Sequence, residues 1–190
     1  MKPVRPRILE VQRDDSIPWF TRIRKVVQFS DSEPPEVYHS IRPPDCVTVL
    51  ARTREGEYLL VRQYRPAVED FTYELPSGHI EDGETPAAAV VRELEEETRC
   101  LAGEVQLLGK LISDTGRSEN RLWAFYAPEV TLSSTSGPIE GGRISVHAVS
   151  RDDLFRMIRE GALAHALDLS VIALCLVNEY LEHRSGGKDV

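Results

Sequence analysis

Residues 78–100, GHIEDGETPAAAVVRELEEETRC, set a turn-rich stretch directly against a helix-forming one. Thr85 has N-cap chemistry, Pro86 stands at the first helical position where a missing N–H costs nothing, and three alanines follow. The spacing predicts a helix over 85–98. Its apolar face would carry Ala87, Val91 and Leu94, while Glu93 and Glu97 share another face at i and i+4, with Glu96 beside them. Like-charged pairs at this spacing destabilise a helix by about 0.2–0.5 kcal/mol each. Arg92 can offset Glu96 at i+4, which leaves Glu93 and Glu97 to be neutralised from elsewhere. A solvated face is the ordinary fate of a Glu-rich helix. Here the apolar face forces the helix to pack, and clustered carboxylates suit hard divalent cations, Mg²⁺ taking one or two of them plus substrate phosphate.

The rest of the chain reads as strands around this helix. WFTRIRKVVQF (19–29) and EVYHSI (36–41) suit two strands joined by a turn, CVTVLART (46–53) and EYLLVRQY (57–64) a hairpin, and FTYELPSG (71–78) a short strand ended by proline and glycine. Further strands are expected at 104–112, 121–127 and 143–149, helices at 151–160 and 165–183, and a Ser/Thr/Gly-rich loop at 131–142. This order predicts a mixed α+β fold without internal repeats. The expected division is an N-terminal β segment over 1–44, a main domain over 45–184 and a flexible tail over 185–190.

Composition narrows the function. The chain has 190 residues, 41% hydrophobic and 28% charged, with a net charge of −8. Nucleic acid and anionic membranes call for clustered positive charge, so neither is expected as a partner. An anionic small molecule stays possible because bound divalent cations reverse the local sign. No apolar run reaches membrane-spanning length, and MKPVRPRILE lacks the apolar stretch of a signal peptide. Three cysteines without metal-ligand spacing agree with reduced thiols and a cytoplasmic location. His79, His147 and His165 lack ligand spacing and are expected to be structural.

The segment 78–100 resembles the box of the Nudix hydrolases: glycine, five residues, glutamate, seven residues, then Arg-Glu-aliphatic-x-Glu-Glu-x-Gly-aliphatic. Gly78, Glu84, Arg92, Glu93, Leu94, Glu96 and Glu97 fall on its places, while Arg99 and Cys100 replace the last glycine and aliphatic residue. Arginine at that glycine would cost about 1–2 kcal/mol if a left-handed backbone is kept there. The resemblance implies an α/β/α sandwich in which Glu93, Glu97 and the Ser77 carbonyl ligate Mg²⁺ (or Mn²⁺). Glu96 would be a third ligand or close support, and Gly78, Glu84 and Arg92 would hold the box in shape.

The flanks RQYRPAVEDFTYELPSG and ISVHAVSRDDLFRMIREGALAHAL resemble the ADP-ribose pyrophosphatase branch of that family, and the likeness runs over about 45–183. It implies hydrolysis of ADP-ribose, or of a related nucleoside-diphosphate sugar, to AMP and ribose 5-phosphate in the first case. Arg65 of QYRP would contact the diphosphate, its bland alternative being an ion pair with Glu69 or Asp70. The general base would be Glu140 in the loop before the last strand, or Glu96. SDTGRSENR (113–121) would reach the terminal ribose through Ser118 and Glu119, although Thr115 stands where proline is frequent. The N-terminal segment reads as a small sheet packing on the main domain; the resemblance offers instead a homodimer-building segment, with Trp19 or Tyr38 stacking on the adenine. The alternative is a non-catalytic Nudix domain that senses ADP-ribose or a nucleotide.

Overall fold

Strands β4 (Cys46–Thr53), β5 (Tyr58–Arg65) and β10 (Leu122–Leu132) carry near-continuous apolar runs, and a strand needs such a run when both of its faces are covered. The computed structural model of the protein, which describes residues 5–133, 139 and 143–181, covers them in this way. Val47, Val49 and Ala51 of β4 point to one side with Phe125 and Ala127 of β10, against Ala89, Val90 and Leu94 of helix α1 (Pro86–Thr98). Leu50, Leu60, Ala124 and Tyr126 point to the other side. There they meet Leu154 and Met157 of α2 (Arg151–Arg159) and Val171, Ile172 and Cys175 of α3 (Ala166–Val177). The result is an α/β/α sandwich, as the resemblance implies.

The sheet of this unit runs β11–β5–β4–β10–β8, with β11 at Ile144–Val149 and β8 at Cys100–Ala102. Among the described residues of this sheet only β4 and β10 pair in parallel, and Phe125 lies opposite Val49. β6 (Asp70–Glu74) pairs with β5, β7 (Ser77–His79) with β4, and β9 (Gln106–Leu111) with β10. Both β6 and β7 are antiparallel to their partners, so the chain reaches helix α1 from a short strand pinned beside β4. That placement sets the site.

Helix α1 begins as its sequence dictates. The Thr85 hydroxyl accepts from the Ala88 N–H at 3.2 Å, and Pro86 opens the first turn. Its buried face differs from the expected one: Ala87 is exposed, and the covered stripe is Ala89, Val90 and Leu94, with Val91 only partly covered. The helix closes at Arg99 in the left-handed region, φ 59° and ψ 24°, with the Arg99 N–H on the Glu95 carbonyl at 2.9 Å. The glycine geometry is therefore kept by an arginine. Arg99→Gly should relieve about 1 kcal/mol of backbone strain and raise Tm by about 2–4 °C in a thermal melt. A lower Tm would mean that contacts of the Arg99 side chain outweigh the strain.

Helix α3 stops at Val177 rather than continuing to 183. Glu179 enters the left-handed region at φ 61°, and the Tyr180 and Glu179 N–H groups turn back to the Cys175 and Leu176 carbonyls. These two bonds form a Schellman closure. Tyr180 then stacks on Tyr126, with ring centroids 4.9 Å apart. The expected tail at 185–190 lies outside the described residues.

A second compact unit groups Met1–Asp45 with Ile112–Arg121. Its antiparallel sheet runs β1–β2–β3, with β1 at Arg7–Asp14, β2 at Thr21–Gln28 and β3 at Glu36–Arg42. The 112–121 segment extends this sheet: the Ile41 N–H donates to the Arg117 carbonyl at 2.8 Å, and the Glu119 N–H to the Ile41 carbonyl at 2.9 Å. β2 begins at Thr21, so Trp19 lies in the turn before it.

Candidate active site

Glu97 continues the buried stripe of Val90 and Leu94 along α1, a place where an apolar side chain is the usual occupant, and it is 4% exposed. Its Oε2 accepts from the Ser77 N–H at 2.8 Å, which ties the helix to β7. One turn earlier, the Glu93 carboxylate lies against Gly78 of the same strand. A Cβ at position 78 would land on that carboxylate, so the bare glycine leaves the space that the Glu93 carboxylate occupies. The turn chemistry of the sequence thus produces the site: PSG makes the strand short and its second residue bare.

Arg92 organises the remaining carboxylates. Its Nε and Nη2 grip both oxygens of Glu84 at 3.0 Å each, and Nη1 donates to Glu93 Oε1 at 2.9 Å and Glu96 Oε2 at 3.2 Å. Nη2 also donates to the His79 carbonyl at 2.9 Å. Glu93, expected to lack relief from Arg92, is therefore paired with it as well as Glu96. The guanidinium hydrogen bond holds the Glu84 carboxyl below its usual pKa, helped by the Glu81 N–H. Glu96 is half exposed and stays on the Arg92 side of the helix.

Across the pocket-facing strands, Arg65 makes a two-pronged bond to Glu74, Nε to Oε1 at 2.9 Å and Nη2 to Oε2 at 2.6 Å. Neither Glu69 nor Asp70 takes it, although Asp70 lies directly opposite in the strand register. Burial alone would raise the Glu74 pKa. The Arg65 fork and the Thr72 hydroxyl outweigh that and hold it low.

Ser77, Gly78, Glu93, Glu97, Arg65 and His165 line one pocket of ≈ 440 Å³. His165, expected to be structural, is thus at the site. Its Nδ1 lies 3.1 Å from Oδ1 of Asp168, a fully buried carboxylate whose Oδ2 accepts from the Leu75 N–H at 2.9 Å. Glu74, Asp168 and His165 are the residues that sequence reasoning did not assign here. For Glu74 a signal existed, since strand alternation puts it on the same face of the β5–β6 hairpin as Arg65. His79, the residue after Gly78 in the box, is exposed, and His147 lies edge-on to Tyr73 at 5.2 Å.

Donors that could hold a cation are the Glu93 and Glu97 carboxylates and the Ser77 carbonyl. Among the described residues no three Asp, Glu, His or Cys side chains form a ready-made cage. A two-carboxylate set of this kind suits Mg²⁺, which keeps several waters and completes its shell with phosphate oxygens. Glu140 lies outside the described residues.

The other expected binding residues belong to the smaller unit. Tyr38, Ser118 and Glu119 line a cavity there of ≈ 240 Å³ together with Lys25, Phe29 and Thr115. Glu119 is paired with Lys25 and accepts from the Ser40 hydroxyl at 2.8 Å, and the Ser118 hydroxyl donates to Asn120 Oδ1 at 2.6 Å. The Tyr38 ring leans on Phe29 with centroids 5.7 Å apart, while Trp19 is 76% exposed. No helix among the described residues is long and apolar enough to cross a membrane.

The site thus sets a bare-glycine strand and a carboxylate helix beside a pocket lined by Arg65. The NUDIX domain model matches residues 42–166, and the chain belongs to the Nudix family and is a hydrolase of that family. It is 27% identical to the ADP-ribose pyrophosphatase of Bacillus subtilis (strain 168) over 143 residues, 75% of this chain and 77% of the relative. The methanol dehydrogenase activator of Bacillus methanolicus is 26% identical over 145 residues, 76% of this chain and 78% of its own length. An ADP-sugar pyrophosphatase of Mus musculus is 53% identical over 53 residues, which span 27% of this chain and 24% of that protein. In fold, the chain is similar to a crystal structure of an ADP compounds hydrolase, with a TM-score of 0.81, 22% identity and coverage of 95% of this chain and 96% of the other.

Proposed function

We propose that the protein hydrolyses the diphosphate of ADP-ribose to AMP and ribose 5-phosphate, or acts likewise on a closely related nucleoside-diphosphate sugar, with Mg²⁺ (or Mn²⁺) as cofactor. The observation that carries this reading is the meeting of Glu93, Glu97, Ser77 and Arg65 in one pocket. The relatives named ADP-ribose pyrophosphatase and ADP-sugar pyrophosphatase support the substrate class. Glu93, Glu97 and the Ser77 carbonyl would hold the cation, with Glu96 in support. When bound, such an ion offsets charge developing on the diphosphate and makes water more acidic.

The chain's own residues divide the remaining work. Arg65 spends Nε and Nη2 on Glu74, which fixes the plane of the guanidinium and leaves its Nη1 end for a phosphate oxygen. Arg92 locks Glu93 and Glu84 in one arrangement, so the carboxylates need no reorganisation when substrate arrives. Glu140, or else Glu96, takes the proton of the attacking water. Tyr38 or Trp19 stacks on the adenine, and Ser118 and Glu119 contact the distal ribose. A cytoplasmic homodimer is part of this reading, built through the N-terminal sheet, where Ile8, Leu9, Val37 and Ile41 are exposed.

A panel of nucleotide sugars, dinucleotides and nucleoside triphosphates at fixed Mg²⁺, with products identified by mass, tests the proposal. ADP-ribose or a close relative should be cleaved fastest, yielding a nucleoside monophosphate and a sugar phosphate. Cleavage of triphosphates alone would reject the substrate class. Binding of ADP-ribose with no product would favour a sensor.

A further inference from the structure

His165 precedes α3 at its N-cap position, yet its side chain makes no capping bond. The ring turns instead to Asp168, three residues on, so that Nδ1 faces a carboxylate with no solvent exposure. That carboxylate is itself fixed, because its second oxygen holds the Leu75 N–H next to Glu74. One nitrogen of the imidazole thus faces the carboxylate, with 42% of the side chain still exposed, and the ring lines the pocket shared by Arg65, Glu93 and Glu97. Among the described residues, no hydrogen bond engages Nε2. A buried carboxylate behind one nitrogen leaves the second nitrogen open toward the pocket lined by Arg65, where a protonated ring would be a donor.

We propose that His165 is a substrate-binding residue: Asp168 holds its ring as an imidazolium, and Nε2–H donates to a diphosphate oxygen in the pocket lined by Arg65. This rests on the diphosphate-hydrolase reading above and assigns a second cationic donor to it. Asp168 acts through His165 and is a positioning residue. The charged groups facing the ring are Asp168 from α3, Glu74 from β6 and Arg65 from β5. The Asp168 carboxylate facing Nδ1 raises the His165 pKa, burial opposes it, and the Glu74 charge adds to the rise against Arg65. Burial pushes the Asp168 carboxyl up, while the His165 contact and the Leu75 N–H act against that rise. The donor is therefore present at low pH and lost as pH rises through the raised imidazole value.

His165→Gln keeps a polar side chain of similar reach without the charge. At about pH 6 it should raise KM for ADP-ribose about ten-fold while changing kcat by less than about two-fold. The wild-type KM should rise with pH toward that of the variant, whose KM stays flat. A purely structural role for the His165–Asp168 pair would leave the KM profiles parallel. Asp168→Asn should move the midpoint of the wild-type profile to lower pH. A second measurement needs neither metal nor turnover: NMR titration of the His165 ring in EDTA, with and without inorganic pyrophosphate. Pyrophosphate should raise the midpoint of the His165 titration. An unmoved titration, with His165→Gln hydrolysing ADP-ribose at wild-type KM at about pH 6, would overturn the proposal. If ADP-ribose proved not to be a substrate while pyrophosphate still shifted the ring, the phosphate contact would stand and the substrate reading would fall.

Discussion

Glu97→Gln should lower turnover by on the order of 10³-fold while shifting the thermal melt by no more than a few degrees. The argument is positional. Glu97 occupies the buried stripe of α1, 4% exposed, with one oxygen on the Ser77 N–H. Glutamine has the same length and keeps an oxygen for that N–H, so the packing of α1 on β4 and β7 survives. What disappears is a negative charge facing the pocket. A buried carboxylate costs stability unless something compensates it, and its retention at a place suited to an apolar residue signals a role in charge chemistry. Turnover within about two-fold of wild type would remove Glu97 from the cation set.

The second large effect is expected from a single methyl group. Gly78→Ala places a Cβ on the Glu93 carboxylate, and that carboxylate must move. Because the displaced atoms are the end of a side chain rather than backbone, the fold accommodates the change. Glu93 is tied to Arg92, which also grips Glu84 and Glu96, so the displacement spreads through the cluster. A shift of about 1 Å in a positioning group costs on the order of 10²-fold in rate. Steady-state assays beside circular dichroism should find that loss with helix content unchanged. An alanine variant as active as wild type would show that the carboxylate at 93 has no fixed position to lose.

The sandwich was legible where local chemistry and burial agreed. Thr85 and Pro86 announce the start of α1, and the apolar runs of β4 and β5 announce strands covered on both faces. β1 escaped because RILEVQRD is exposed along most of its length and owes its strand form to pairing with β2, across an irregularity between Ile8 and Glu10. β8 is too short for any periodic signal. The apolar pattern of α3 runs past its end, and the reversal at Glu179 comes from the Schellman bonds of Tyr180 rather than from a glycine.

The candidate site was legible only along the helix, where spacing translates into a face. Glu93 and Glu97 share one face as that spacing implies, and they meet Ser77 and Gly78 in one pocket. The partners brought in by folding were not visible: Arg65 passes over Asp70 for Glu74, and Asp168 reaches back to Leu75 across 93 residues. His165 has no ligand spacing in sequence, and its place at the pocket depends on the way α3 docks. Sequence identifies chemistry that lies on one element. Chemistry shared between elements needs the sheet order.

Central to the account is the claim that Glu93 and Glu97 together hold a divalent cation against a diphosphate. Crystals grown with Mn²⁺ and a methylene-bridged, non-hydrolysable analogue of ADP-ribose, measured by anomalous diffraction, address it most directly. The account predicts an anomalous peak coordinated by both carboxylates and by oxygens of the analogue's diphosphate, with Arg65 on the same group. An analogue bound with its ion elsewhere, and Glu93 and Glu97 in contact only with water and Arg92, would contradict it.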